Sequence, residues 1–173
     1  NNSNYTDSRF DSIISIINKC RTGMGKRLFL ERISQPITTP DILQKRYDQI
    51  EYFRLPLDNS SSTPRYKRYE AYLANINDLE RYHRKMQLGQ LLPYAFMSIH
   101  RSYTSILNLM DEMGTDSDLF FDREYISQFK EFRKRYMDIF NISRMSNIHK
   151  DKLFWNIFNT GFSEELDILQ DKI

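Results

Sequence analysis

At 173 residues, with 28% charged side chains and a formal net charge of +2, the chain is long enough to bury a real core. That balance gives no global reason to expect a nucleic-acid partner. No apolar run approaches the ~20 residues that a membrane span needs, no signal-peptide pattern is present, and the single cysteine, Cys20, excludes an internal disulfide and fits a reducing, intracellular compartment.

The five glycines and five prolines stand mostly at the edges of periodic segments, a distribution that favours long helices. Asn1 rather than Met at the first position reads as a processed or excised fragment, with the polar residues 1–8 a frayed end. Asp7 or Ser8 can cap a first helix running to Lys19, with Phe10, Ile13, Ile14 and Ile17 on one face. Thr22 can cap the next, striped by Met24, Leu28, Leu30 and Ile33 and stopped by Pro36. Thr39-Pro40-Asp41 is a strong start signal for a helix carrying Leu43, Tyr47, Ile50 and Phe53.

After the loop Leu55–Pro64 comes a basic, tyrosine-rich helix, Arg65–Ala74. Asn77 and Glu80 read as a capping box opening a helix with Leu79, Tyr82 and Met86 inward, closed by Gly89. Pro93 starts the longest segment, striped by Phe96, Ile99, Tyr103, Ile106, Leu107, Met110 and Met113 and stopped at Gly114. A turn at Thr115–Asp118 leads to a helix over Asp122–Phe140, then to a loop at Asn141–Ser146. The stretch Ile148–Phe158 is ambiguous between a short helix and an extended piece, and Ser163 can cap a last helix, Glu164–Lys172. No repeat is visible. The expectation is a single all-α domain over residues 1–173, an irregular bundle of six to eight helices.

Little here carries chemistry. Gly23-Met24-Gly25-Lys26-Arg27 fails as a phosphate loop, because that pattern needs Gly where Cys20 stands and Ser or Thr where Arg27 stands. The reading left for Gly25 is a close approach between helices. His83, His100 and His149 share no metal-ligand spacing with a cysteine or an acid. Glu164, Glu165 and Asp167 sit where acids favour a helix dipole. Arg27, Arg46, Asp78, Glu80, Arg81 and Arg84 form either a solvated charged face or a polar network with at least one cross-helix arginine–carboxylate pair. The basic clusters Arg65, Lys67, Arg68 and Lys130, Arg133, Lys134 can touch phosphates, but Glu70 and Glu131 interleave them and favour a solvated face. Phe129, Phe132, Tyr136 and Phe140 at helical spacing read as core before they read as a base-stacking surface.

Four blocks carry a resemblance. The first is Thr22, Met24-Gly25, Arg27, Leu28 and Pro36, followed by Ile42, Arg46, Asp48 and Ile50. The second is Asp78-Leu79-Glu80-Arg81 with Arg84, the third Gly89 and Pro93, and the fourth Gly161-Phe162-Ser163-Glu164-Glu165-Leu166-Asp167. In this order, over most of residues 10–169, they resemble the core, or lever, domain of the MutS family of DNA mismatch-repair ATPases, up to the point where a clamp is inserted into that domain. The resemblance makes Thr22, Gly25, Arg27, Pro36, Arg46, Asp78, Glu80, Arg81, Gly161, Leu166 and Asp167 structural motif residues and implies long lever-type helices. It implies a non-catalytic module with no cofactor of its own. ATP and Mg would belong to the ATPase domain of a dimeric parent. The clamp and ATPase domains would be its partners, and DNA would be reached through the parent. The alternatives from the residues alone are an independent helical protein-interaction module and a helical nucleic-acid binder using the basic clusters.

Overall fold

The computed structural model describes residues 12–57, 62–146 and 156–172, so Phe10, Asp7, Ser8, His149 and Trp155 lie outside the described residues. Among the described residues the chain forms nine α-helices and one 3-10 helix, slightly more than the six to eight expected, and its extended pairing is confined to two isolated bridges. The chain divides into two compact units, Asn1–Asp78 and Leu79–Ile173.

The first unit holds α1 (Ile13–Ile17), α2 (Gly23–Ser34), α3 (Pro40–Arg54) and α4 (Arg65–Leu73). Helix α1 ends at Ile17, short of Lys19, and is capped by Ser12, whose hydroxyl accepts from the Ser15 amide. Helix α2 is capped by Thr22 Oγ1, which accepts from the Gly25 amide at 3.0 Å. It stops ahead of Pro36, whose ring disfavours helical backbone at Gln35. Thr39 takes the cap position of α3, but its side chain makes no capping bond, and Pro40 presets the first turn.

Burial in this unit departs from the expected stripes. Leu28, Leu30, Ile33, Tyr47 and Ile50 are all exposed, and neither α2 nor α3 has a fully buried residue. The core is instead the α3–α4 seam. There Tyr69, 3% exposed, meets the edge of Phe53 at a centroid distance of 6.1 Å, with Tyr52 beside it. A bridge between Pro56 and Pro64, and the Arg65 amide donating to Leu55 O at 3.0 Å, close the intervening loop at its base.

The second unit is built on α6 (Pro93–Met113), with α5 (Leu79–Gln87), α7 (Arg123–Ile139), α8 (Ile142–Ser146) and α9 (Glu164–Gln170). Helix α6 buries Met97, Ile99, Ser102, Tyr103, Leu107 and Met113, so four of the seven expected stripe residues are buried, Phe96, Ile106 and Met110 are half-buried, and Met97 and Ser102 join the buried face. Ser102 is tolerated at full burial because its hydroxyl donates back to Ser98 O at 2.7 Å. Helix α5 starts at Leu79, which puts Asp78 rather than Asn77 next to its first residue. It ends at Gln87, and just beyond it Gly89, at a φ of +66°, lets the Gln90 amide donate to Lys85 O at 2.8 Å.

Beyond Gly114 the chain makes a 3-10 turn, Gly114–Leu119, before Asp122 caps α7 by accepting from the Glu124 amide at 2.8 Å. The expected loop at Asn141–Ser146 is helical, because the Asn141 side chain accepts from the Arg144 amide at 2.9 Å and caps α8. That turn drives Met145 to 2% exposure. Phe140 and Phe158 form an antiparallel bridge, which makes the end of the ambiguous stretch extended. In the α7 aromatic series Tyr136 is buried and Phe129 and Phe140 are half-buried, but Phe132 is exposed.

Ile99 has no exposed surface, and Ile50 is 61% exposed. Ile99→Ala should lower the unfolding free energy by about 2–5 kcal/mol, whereas Ile50→Ala should change it by less than ~0.5 kcal/mol. Urea unfolding followed by circular dichroism reads both.

Candidate functional site

Four motif residues of the first unit, Thr22, Gly25, Arg27 and Asp78, converge on α2. Its opening turn needs glycine twice, for different reasons. A Cβ on Gly25 would stand 2.8 Å from Thr22 Oγ1, so Gly25 makes room for the helix's own cap and for Cys20 behind it. A Cβ on Gly23 would stand 2.9 Å from Asp78 Oδ2, so the close approach to a distant segment is at Gly23, not at Gly25. One turn on, Arg27 Nη1 and Nη2 donate to Asp78 Oδ2 and Oδ1, both at 2.7 Å. The planar guanidinium fork matches the two carboxylate oxygens, and the acid lies at the positive end of the α2 dipole. Just ahead of the helix, Arg21 Nε donates to Glu70 Oε1 on α4 at 2.6 Å. The Arg21 hydrogen bond holds the Glu70 carboxyl below the ordinary carboxylate range, and Glu70 raises Arg21 in turn.

The other motif residues are spread out. Arg46 is half-buried on α3, and Pro36 lies between α2 and α3. Glu80 and Arg81 are exposed on α5. In the second unit, Asp167 Oδ2 accepts from the Gly161 amide at 2.8 Å, with Gly161 at a φ of +87°. Ser163 caps the same helix, and Leu166 is half-buried. The block Gly161–Asp167 is thus a local device that turns the chain and starts α9.

Of the six cations singled out for phosphate, two are committed to contacts within their own units. Arg65 lies over the Tyr52 ring, 4.4 Å from its centroid, and donates to Tyr52 O at 3.1 Å, which commits it to the α3–α4 seam. Arg133 is half-buried and donates to Thr104 Oγ1 at 3.2 Å. Lys67, Arg68, Lys130 and Lys134 are exposed, with Lys130 4.0 Å from Asp111.

Two features escaped the sequence because they join distant helices. A cleft of about 660 Å³ opens between α5, α6 and α7, lined mainly by Leu79, Met86, Ile106, Ile126, Phe129 and Phe132. His83 Nε2 and the Tyr103 hydroxyl share a 2.6 Å hydrogen bond at the same cleft. About one turn earlier on α6, His100 Nδ1 and the Tyr136 hydroxyl share one at 2.9 Å. Burial lowers the His100 pKa, with Arg133 and Arg101 adding to the effect, and burial pushes the Tyr136 hydroxyl up to about 12. Both groups are neutral at pH 7. Among the described residues no group of His, Cys, Asp and Glu is placed to hold a metal ion, and no helix is long and apolar enough to cross a membrane.

Residues 1–157 match a family model described as MutS domain III. A DNA mismatch repair protein mutS homolog of Acanthamoeba polyphaga mimivirus is 30% identical over 179 residues, covering 100% of this chain and 15% of its own length. DNA mismatch repair protein MutS of Borreliella afzelii is 30% identical over 172 residues, 98% of this chain and 18% of that protein. MutS of Borrelia garinii subsp. bavariensis is 27% identical over 168 residues, 97% of this chain and 16% of that protein. The chain therefore spans less than a fifth of the length of these relatives. No solved structure matches it significantly.

Two outcomes follow from the site geometry. Arg27→Ala removes the two-bond fork on the Asp78 carboxylate, and Gly23→Ala crowds that carboxylate. Each should lower stability by up to about 1 kcal/mol in urea unfolding, and variants no less stable than the parent would refute the close fit. The depressed pKa of His100 means that the folded state binds its proton less readily than the unfolded chain. Its stability contribution is therefore complete above the ordinary value of 6.5 and is lost as pH falls below it. The melting temperature should drop between pH 7.5 and pH 5.5, and His100→Gln should flatten that slope.

Proposed function

The chain belongs to the MutS family, as domain III, and on that premise we propose that it is a non-catalytic core module of a mismatch-repair ATPase, transmitting movement from an ATPase domain to a clamp on DNA. What most supports this reading is α6, 21 residues long and therefore about 32 Å, with Ile99 and Ser102 at zero exposure in its middle. A helix seated that firmly transmits displacement without deforming. Coupling then means that nucleotide state biases a rigid-body rotation, and the rotation opens or closes the clamp. ATP and Mg belong to the ATPase domain of the parent, which works as a dimer wherever it has access to DNA. The motif residues Thr22, Gly25, Arg27, Asp78, Gly161 and Asp167 act in this reading by fixing helix ends and junctions, not by touching substrate.

The competing nucleic-acid reading has the exposed cations Lys67, Arg68, Lys130 and Lys134 in its favour. A salt titration of binding to matched and mismatched duplexes separates the two. As a lever, the isolated chain should bind both duplexes weakly and equally. Mismatch preference in the isolated chain would refute the lever reading. Tight binding whose logarithm falls steeply with the logarithm of salt, and which weakens with Lys130→Ala and Lys134→Ala, would replace it with direct phosphate contact.

A further inference from the structure

Helix α2, 12 residues long, has, like α3, no fully buried residue. Of residues 28–34 only Phe29 is even half-buried. Leu28, Leu30 and Ile33, the residues that should anchor it, are 40–47% exposed. Its neighbour α4 is shorter, at nine residues, yet is fixed by the buried Tyr69. The strong contacts of α2 gather instead at its opening end. The Asp78 carboxylate sits against Gly23 and is gripped by the Arg27 fork, while Arg21 holds Glu70 just before the helix starts.

We propose that α2 is a releasable strap, latched at its first turns by the Arg27–Asp78 and Arg21–Glu70 pairs and free to detach as a unit while the α3–α4 seam and α6 stay folded. The physical case rests on three magnitudes. Part-exposed ion pairs contribute little each, about 0–1 kcal/mol. A helix under ~12–15 residues is marginal by itself, so detachment and unwinding go together. Segments with few buried apolar contacts open locally at a small fraction of the global unfolding free energy. The nonhelical residues 35–39, which include Pro36, give the strap a tether to α3. Because the latch is electrostatic and its arginines are about half exposed, ionic strength sets how often it opens. This inference stands apart from the lever reading.

The test is amide hydrogen exchange with fragment-resolved mass spectrometry on the intact protein that carries this chain, at 0.05 and 0.5 M NaCl. Amides of residues 28–34 should exchange at least ~100-fold faster than those of residues 99–107, and the higher salt should speed the former several-fold without changing the latter. Asp78→Asn should add a further ~5-fold or more to α2 alone, and the charge-swapped pair Arg27→Asp with Asp78→Arg should recover part of it. Protection in α2 equal to that in α6 overturns the proposal. So does fast exchange in α2 that is indifferent to salt, a result that stands even if the Asp78 variant fails to fold.

Discussion

The constraint on which the second unit depends is that α6 must hide one face along its whole length. Six of its 21 side chains are buried, with Ile99 and Ser102 fully out of water. At about 25 cal/mol per Å² of apolar surface, such a stripe dominates the local energetics. Its neighbours are the elements needed to cover it. Helix α5 supplies Leu79, α7 supplies Tyr136, and α8 supplies Met145, each under 9% exposed. Their polar atoms are handled in place. The Tyr103 and Tyr136 hydroxyls meet histidine nitrogens, and the Ser102 hydroxyl turns back on its own helix. A buried hydroxyl left without such a partner costs about 1–3 kcal/mol.

The first unit solves a different problem with different means. Its apolar seam is small, centred on Tyr69 and Phe53, and much of its aliphatic surface faces water. Directional contacts do the positioning there: a fork from Arg27, a single bond from Arg21, and a guanidinium stacked on Tyr52. Such contacts fix geometry more than they add stability, since the charges remain partly solvated. The two units therefore place their rigidity differently. The second is held by volume filled, the first by angles satisfied.

Helix ends were legible because capping and chain-breaking chemistry is local. Thr22, Asp122 and Ser163 accept the amide bonds that their types and positions imply, and Gly89 and Gly114 take the positive φ that stops a helix. The α6 stripe was legible because its period is long and its residues are bulky. The stripes of α2 and α3 misled, since periodicity marks which residues share a face but not whether anything covers it. Thr39 misled for a related reason: a good cap residue was in place, yet its side chain makes no capping bond.

By itself, then, the sequence determined the all-helical class, most helix boundaries and, through four ordered blocks, the family to which the comparisons assign the chain. These depend on interactions within a few residues, or on the order of residues along the chain. Only the tertiary structure decided that Gly23 rather than Gly25 makes room for Asp78, that Arg27 is the residue gripping it, and that Arg65 and Arg133 point into the fold. Only it paired His83 with Tyr103 and His100 with Tyr136. Each of these contacts joins residues 13 to 55 positions apart, and no local rule specifies which of many distant partners a side chain will meet once loops have closed and cores have packed.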